Sequence, residues 1–329
     1  MKKIDNSTKI FAFLGLVVVT VVVWQAVLAS RVVYDLHKWK KAASVAELTS
    51  ILERDSKSYR KVPTGAFSQI AVQNGVYVQV IKSDNYGVYQ SDYSRAQVKI
   101  REEAGVLYIS EKDGTYHSWS TPVFVLMPRE PEISFSSRQR IQDATAEICG
   151  FDRLHTKISL DSTFLRLRTD LAHLDIEVIN GSLDYMTGSR YFAPTEATDV
   201  TVLAKHAHIR LSDSLSKRVH IDMNLERSSV DLFVHRQAHI GSINIKGSVA
   251  PYDPYADDRW LKKAMRVLAT IDSQARCDSL LMNIHSDGEE RHEVVVSEGF
   301  KASYEEINLE GKIDLIRREI ESTRQYWPY

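Results

Sequence analysis

Val200-Thr201-Val202, Ile209-Arg210-Leu211, Val219-His220-Ile221-Asp222-Met223, Val230-Asp231-Leu232 and Ile243-Asn244-Ile245 are five short runs in which apolar and polar side chains alternate. Successive side chains of an extended strand point to opposite sides, so each run has one greasy and one wet face. The spacing between runs narrows the choice of fold. Val200 to Ile221 and Ile209 to Val230 are each 21 residues, and Ile221 to Ile243 is 22. A coil of that length carrying two or three short strands is the unit of a parallel β-solenoid, where each rung buries the one before it.

The habit extends toward the N-terminus through Leu174 to Val178, Leu165 to Leu167, Ile158 to Leu160, Val106 to Ile109, Val98 to Ile100 and Val76 to Val80. No helical run of comparable strength interrupts 67–249. A β-sandwich also spaces strands at 8–12 residues, but few Gly-Asn or Asp-Gly hairpin signals separate these runs. The fold class read here is all-β, a solenoid over 65–250.

Residues 10–29 contain no charge and, as a helix, span about 30 Å, the thickness of a bilayer's hydrocarbon core. They read as a transmembrane anchor that follows a nine-residue cytoplasmic tail (1–9). The alternative is a cleaved signal peptide ending at Ala29, although its apolar stretch is long for that role. The anchor reading puts the bulk of the chain on the periplasmic or extracellular side. Residues 30–64 read as a juxtamembrane helical stalk, with Val32, Leu36, Trp39, Ala43 and Ala46 on one face and Pro63-Thr64-Gly65 ending it. Beyond Pro251 and Pro254, residues 251–329 read as a mixed α/β cap. Trp260 to Ile271 forms a helix or another rung, 280–284 and 293–296 are strands, and Leu309, Ile313, Ile316 and Ile320 lie on a final helix.

Composition removes several function classes. The 42 Lys and Arg nearly cancel 43 Asp and Glu, so no concentrated basic surface points to nucleic acid. Cys149 and Cys277 stand too far apart in sequence for a zinc ribbon or a CxxC motif; they are two buried thiols or one long-range disulfide. No P-loop, dinucleotide-binding glycine pattern, nucleophile elbow or HExxH occurs, and no cofactor is expected.

Three constellations bear on chemistry. His206 and His208 fall on one side of a strand and are weak candidate metal ligands; the plainer reading is a solvated polar face, with Arg210 stacked over Asp231. Asp161, Asp170, Asp175, Glu177 and Asp184 lie on or beside strands, and paired outward carboxylates could serve a glycan-active enzyme. Tyr86, Tyr89, Tyr93, Tyr116 and Trp119, within a wider set that includes Tyr108 and Tyr185, could stack on sugar rings or anchor a partner. The plainer reading is rim packing over the core.

The stretch Phe67-Ser68-Gln69-Ile70-Ala71-Val72-Gln73-Asn74-Gly75-Val76-Tyr77-Val78-Gln79-Val80, then Val98 to Ile100 and Gly105 to Ile109, resembles the opening strands of the head GIN domain, the auto-transporter adhesin head family. Val123 to Pro128 followed by Ile133 to Phe135 is similar to that family's strand before its first rung. The likeness spans about 65–250 and is that of a divergent member, with Phe135-Ser136-Ser137-Arg138 in place of the usual glycine-containing turn. It implies a right-handed parallel β-helix in a bacterial envelope protein and assigns no catalytic residue. The expected role is therefore a membrane-anchored, non-enzymatic, adhesin-like surface. Its expected partner is an envelope protein, a surface polysaccharide or another copy of itself.

Overall fold

The computed structural model describes residues 17–26, 39, 42–55, 58–91, 98–112, 122–137, 142–151, 155–161, 163–169, 173–187, 197–213, 218–234, 239–249, 267–273, 276–286 and 291–318. Parallel strands wind between two walls. Sheet I stacks β6 (Val106–Glu111), β2 (Gln69–Gln73), β8 (Glu132–Ser136), β10 (His155–Asp161), β12 (His173–Ile179), β14 (Ala197–Lys205), the first half of β16 (Arg218–Val234), β17 (His239–Val249), β19 (Arg276–His285) and β21 (Lys301–Glu310). Sheet II stacks β7 (Val123–Met127), β3 (Tyr77–Lys82), β9 (Gln142–Cys149), β11 (Thr163–Thr169), β13 (Ser182–Thr187), β15 (His208–Asp213), the second half of β16, β18 (Val267–Ser273), β20 (His292–Ser297) and β22 (Ile313–Arg318). Each coil gives one strand to each wall, and the inward side chains of both walls share one core.

The register follows the spacing read from the sequence. Val200 pairs with Ile221, Ile221 with Ile243, and Ile209 with Val230. One inward column of sheet I runs Leu107, Ile70, Ile133, Ile158, Ile176, Val202, Met223, Ile245, Met282, Ile307 without a polar interruption. Burying one such side chain contributes about 1.5–3 kcal/mol, which the ordering of the chain largely offsets. Corners between the walls recur in left-handed backbone at Asn74, Asn180, His206 and Arg227. There the amide of one coil donates to the next, as Asn180 N to Lys205 O and His206 N to Glu226 O, both 3.0 Å or shorter. The head GIN-like stretch 67–80 is one such coil: β2, the Asn74-Gly75 corner, then β3.

The winding begins inside the stack rather than at its end. After β2 and β3 the chain turns outward through β4 (Gly87–Ser91) and β5 (Val98–Glu103). It returns as β6 and β7 on the outer side of that first coil, then crosses to β8 and β9 on the inner side. β5 pairs antiparallel with β6, β4 with β7, and β1 (Tyr59–Val62) with β4, so antiparallel strands close this end.

The expected stalk is corrected by a second, smaller core. Helix α1 covers 17–26; helix α2, Val45–Arg54, begins at the Ser44 cap, whose hydroxyl accepts from Glu47 N. Trp39, Leu48 and Leu52 are buried with Tyr59, Ile81, Tyr89, Phe124, Leu126 and Cys149, and several of these point outward from sheet II. α2 is thus clamped to a wall, and Trp39, Leu48 and Leu52 belong to the folded body, which is not confined to residues beyond 65.

Strands also replace the expected final helix. Leu309 lies in β21 and Ile313 and Ile316 lie in β22, while Ile320 lies outside the described residues; the Gly311-Lys312 turn between the strands imitates helical spacing. Of the segment 260–271, residues 267–271 form part of β18, the additional rung rather than the helix, and the remainder lies outside the described residues. Cys149 and Cys277 are separate buried thiols in the two different cores, with no disulfide. Among the described residues no helix is long and apolar enough to cross a membrane; only 17–26 of the run 10–29 is described, with Val18, Val22 and Trp24 exposed.

Candidate functional site

The outer wall of sheet I is built of polar side chains that answer one another from coil to coil. His173 Nδ1 lies 2.8 Å from Asp199 Oδ2, Lys205 Nζ 3.0 Å from Glu226 Oε1, and His239 Nε2 2.8 Å from Asp278 Oδ1. Asn244 donates to Asp222, and His220 Nδ1 sits 2.9 Å from Ser242 Oγ. Exposed pairs of this kind contribute about 0–1 kcal/mol each. Their effect is to leave a mostly self-satisfied surface.

On the outer wall of sheet II, Arg166, Asp184, Arg210 and Asp231 stand in register on four successive strands. Burial raises the Asp184 carboxyl above its ordinary value, although Arg210 and Arg166 both pull it down. His208 accompanies them, with Nδ1 2.9 Å from Ser229 Oγ and Nε2 3.6 Å from Asp231 Oδ2. Burial holds its imidazole below the ordinary value against the pull of Asp231. The alternation of guanidinium and carboxylate neutralises the column along its length.

Of the two histidines expected on one side of a strand, His206 occupies a corner at φ 47° and His208 opens β15. Among the described residues no three His, Cys, Asp or Glu side chains come together as metal ligands would. Of the carboxylates, Asp175 and Glu177 share the outer face of β12 two residues apart, Asp184 lies on the opposite wall, Asp161 ends β10, and Asp170 lies outside the described residues.

Of the aromatics, Tyr86 packs edge-on against Phe67 at 5.2 Å and leans on the inner core. Tyr89 is buried under α2, where its hydroxyl donates to Glu53 Oε1 at 3.4 Å; burial, then the Glu53 charge, push its pKa up. Tyr86 is half-buried, whereas Tyr89 is covered. Tyr185 points inward to the core. Tyr93, Tyr116 and Trp119 lie outside the described residues.

Tyr108 is different. On the outer face of sheet I at the antiparallel end, it lies across from Arg101, whose guanidinium sits 4.7 Å from the ring centroid. Beside this pair, Lys99 faces Ser110 and Ser110 faces Gln73; Tyr108's other neighbour is Ala71. Small Ser110, beside long Arg101, Tyr108 and Lys99, leaves a cleft of about 250 Å³. Its lining includes Gln73, Asn74, Lys99, Arg101, Tyr108 and Ser110, with Glu111 as the carboxylate. The alternation Val98-Lys99-Ile100-Arg101 is the sequence signal that puts both cations on one side.

No family model matches the chain, and no curated protein does. Among solved structures it is similar to a candidate adhesin from Bacteroides fragilis NCTC 9343, at 9% identity and a TM-score of 0.38, over 80% of this chain and 96% of that one. A candidate adhesin from Parabacteroides merdae ATCC 43184 is similar at 10% identity and a TM-score of 0.27, with the same coverage. Likenesses at this level carry no inference about this chain's fold or activity.

Proposed function

We propose that this chain is a non-enzymatic, adhesin-like envelope protein that presents its solenoid to a surface polysaccharide. The observation that carries this reading is the cleft on sheet I. A tyrosine stacked with an arginine, a lysine, amides and a hydroxyl line it, and its lining holds the single carboxylate of Glu111 where hydrolysis would need a pair. Such a lining binds hydroxylated rings without transforming them. The same reading includes right-handed winding, the hand that parallel strands joined by crossovers adopt almost universally. It also includes anchoring by 10–29, supported by their charge-free length, with the folded body outside the cytoplasm.

The test is titration of the detergent-solubilised full chain with purified envelope polysaccharide, followed by an assay for new reducing ends. Saturable binding with no growth of reducing ends is expected. Accumulating reducing ends, or no saturable binding, would overturn the proposal. For the anchor, the full chain should stay in the membrane pellet after alkaline carbonate washing; its release into the supernatant would remove that part.

A further inference from the structure

We infer that the sheet I cleft is selective for an acidic sugar unit, a uronate whose carboxylate is held by Arg101 and Lys99. This rests on the reading of the cleft as a glycan contact and names the class of ring it takes.

Three features converge. First, the guanidinium of Arg101 is stacked over Tyr108, which removes much of the freedom a surface arginine has to lose on binding. A planar fork held in one orientation suits a planar carboxylate, which accepts two parallel hydrogen bonds from it. The competing partner is weak: Arg101 Nη1 lies 3.7 Å from Glu103 Oε2, with both side chains more than half exposed. Second, Lys99 stands two residues along the same strand on the same face. Among the described residues it has no ion-pair or hydrogen-bond partner, unlike Lys205 and Lys246 on the same wall, which meet carboxylates of neighbouring coils. An unneutralised cation beside a fixed one is the departure from an otherwise paired surface. Third, the remaining polar groups are those that hydroxyls need. Gln73 and Asn74 offer amides, and Ser110 a hydroxyl that both donates and accepts. Glu111 accepts from ring hydroxyls and repels a second acid group, which favours one carboxylate per ring over a densely charged polymer.

The volume sets the scale. About 250 Å³ accommodates one ring, below the roughly 300–1,000 Å³ of sites that enclose drug-sized ligands. The cleft is open to solvent, so the flanking sugars of a polymer run out over sheet I, and affinity for a single unit is weak.

The experiment titrates the full chain with oligogalacturonate and, separately, with a neutral glucose oligomer of equal length. The variants are Lys99→Gln, Arg101→Gln and, as a cation elsewhere on the same wall, Lys246→Gln. Oligogalacturonate should bind at about 150 mM salt, where diffuse attraction is screened. Arg101→Gln and Lys99→Gln should each weaken it about tenfold or more, and Lys246→Gln should leave it unchanged. All three positions are exposed, and unchanged thermal melting of each variant confirms folding. Equal binding of the neutral oligomer, unaffected by Arg101→Gln, would overturn the acid selectivity while leaving a glycan-binding protein. Weakening by Lys246→Gln to the same degree would reduce the effect to non-specific polyelectrolyte attraction and overturn the site. Absence of binding to either oligomer would also overturn it, whereas saturable binding of envelope polysaccharide would still support the broader reading.

Discussion

Gly247 shows how closely single positions are specified in a stack. It sits at φ 117° opposite Leu225, and a methyl group there would meet the Leu225 carbonyl oxygen at 2.0 Å. The obstruction is backbone, so no rotamer relieves it. Gly247→Ala should cost more than about 2 kcal/mol, read as a lower urea midpoint; an unchanged midpoint would mean that β17 can shift against β16. His208 makes a prediction about pH. In the unfolded chain its imidazole titrates near pH 6.5, and burial lowers that value in the fold. A depressed folded value favours the neutral ring, so its contribution to stability is complete above the unfolded pKa and is lost as pH falls through the folded one. Asp184 has the opposite sign in a more acidic window. Its carboxyl is raised by burial, so its contribution is present below the unfolded carboxylate value and is lost as pH rises through the folded one. Between about pH 7.5 and 5.5, around the ordinary imidazole value, His208 lowers stability as the pH falls. The wild-type urea midpoint should fall over that interval, and His208→Asn should reduce the fall. Parallel pH profiles for the two chains would remove His208 as the cause.

Helix α2 is the element whose role the sequence hid. Leu48 and Leu52 are almost wholly buried against the outer side of sheet II, so Leu52→Ala should destabilise the fold by about 2–5 kcal/mol, measured by denaturant unfolding. A loss below about 1 kcal/mol would mean that α2 lies on the wall without being held by it. The rungs themselves were legible. Val200, Ile221 and Ile243 repeat at 21 and 22 residues because neighbouring coils of equal length must superpose inward side chains. Two signals for α2 were also present in the sequence. Ser44-Val45-Ala46-Glu47 is a helix-start pattern. Val123 to Met127 is apolar at every position, which a wall wetted on one side would not tolerate. The final strands were not legible, because Leu309, Ile313 and Ile316 fit a 3.6-residue period as well as they fit two strands about a turn. The cleft was half legible. Tyr108 stood among the candidate aromatics, but that Lys99 and Arg101 share its face depends on the antiparallel pairing of β5 with β6, which no spacing announces.

At the scale of the whole molecule, the two ends of the stack are finished by different means. Antiparallel β1, β4 and β5 close one end. At the other, β21 and β22 have no further strand neighbour among the described residues, and unpaired edges of this kind invite association. The inward columns change character there. In sheet I, Leu174, Val200, Ile221, Ile243 and Leu280 are followed by Glu305. In sheet II, inward Leu211 and Leu232 lead along the stack, and at its end inward Val296 is followed by Arg317. Two greasy columns from opposite walls therefore end on opposite charges, and Arg317 bonds Glu305 across the mouth of the solenoid. A coil added beyond them would have to bury that pair, at a desolvation cost of several kcal/mol per ion. The pair thus acts as a terminator: it keeps the last rung from templating another while Ile307, Leu309 and Ile313 remain only partly covered. Replacing both charges, Glu305→Leu with Arg317→Leu, continues each column to the edge and should raise the solution mass above that of the wild-type chain, read by light scattering across a dilution series. Arg317→Leu alone leaves the Glu305 carboxylate at the mouth and should show less association than the double variant. If the double variant keeps the wild-type mass at every concentration, the charges are incidental to how the stack ends, and closure of this edge lies elsewhere in the chain.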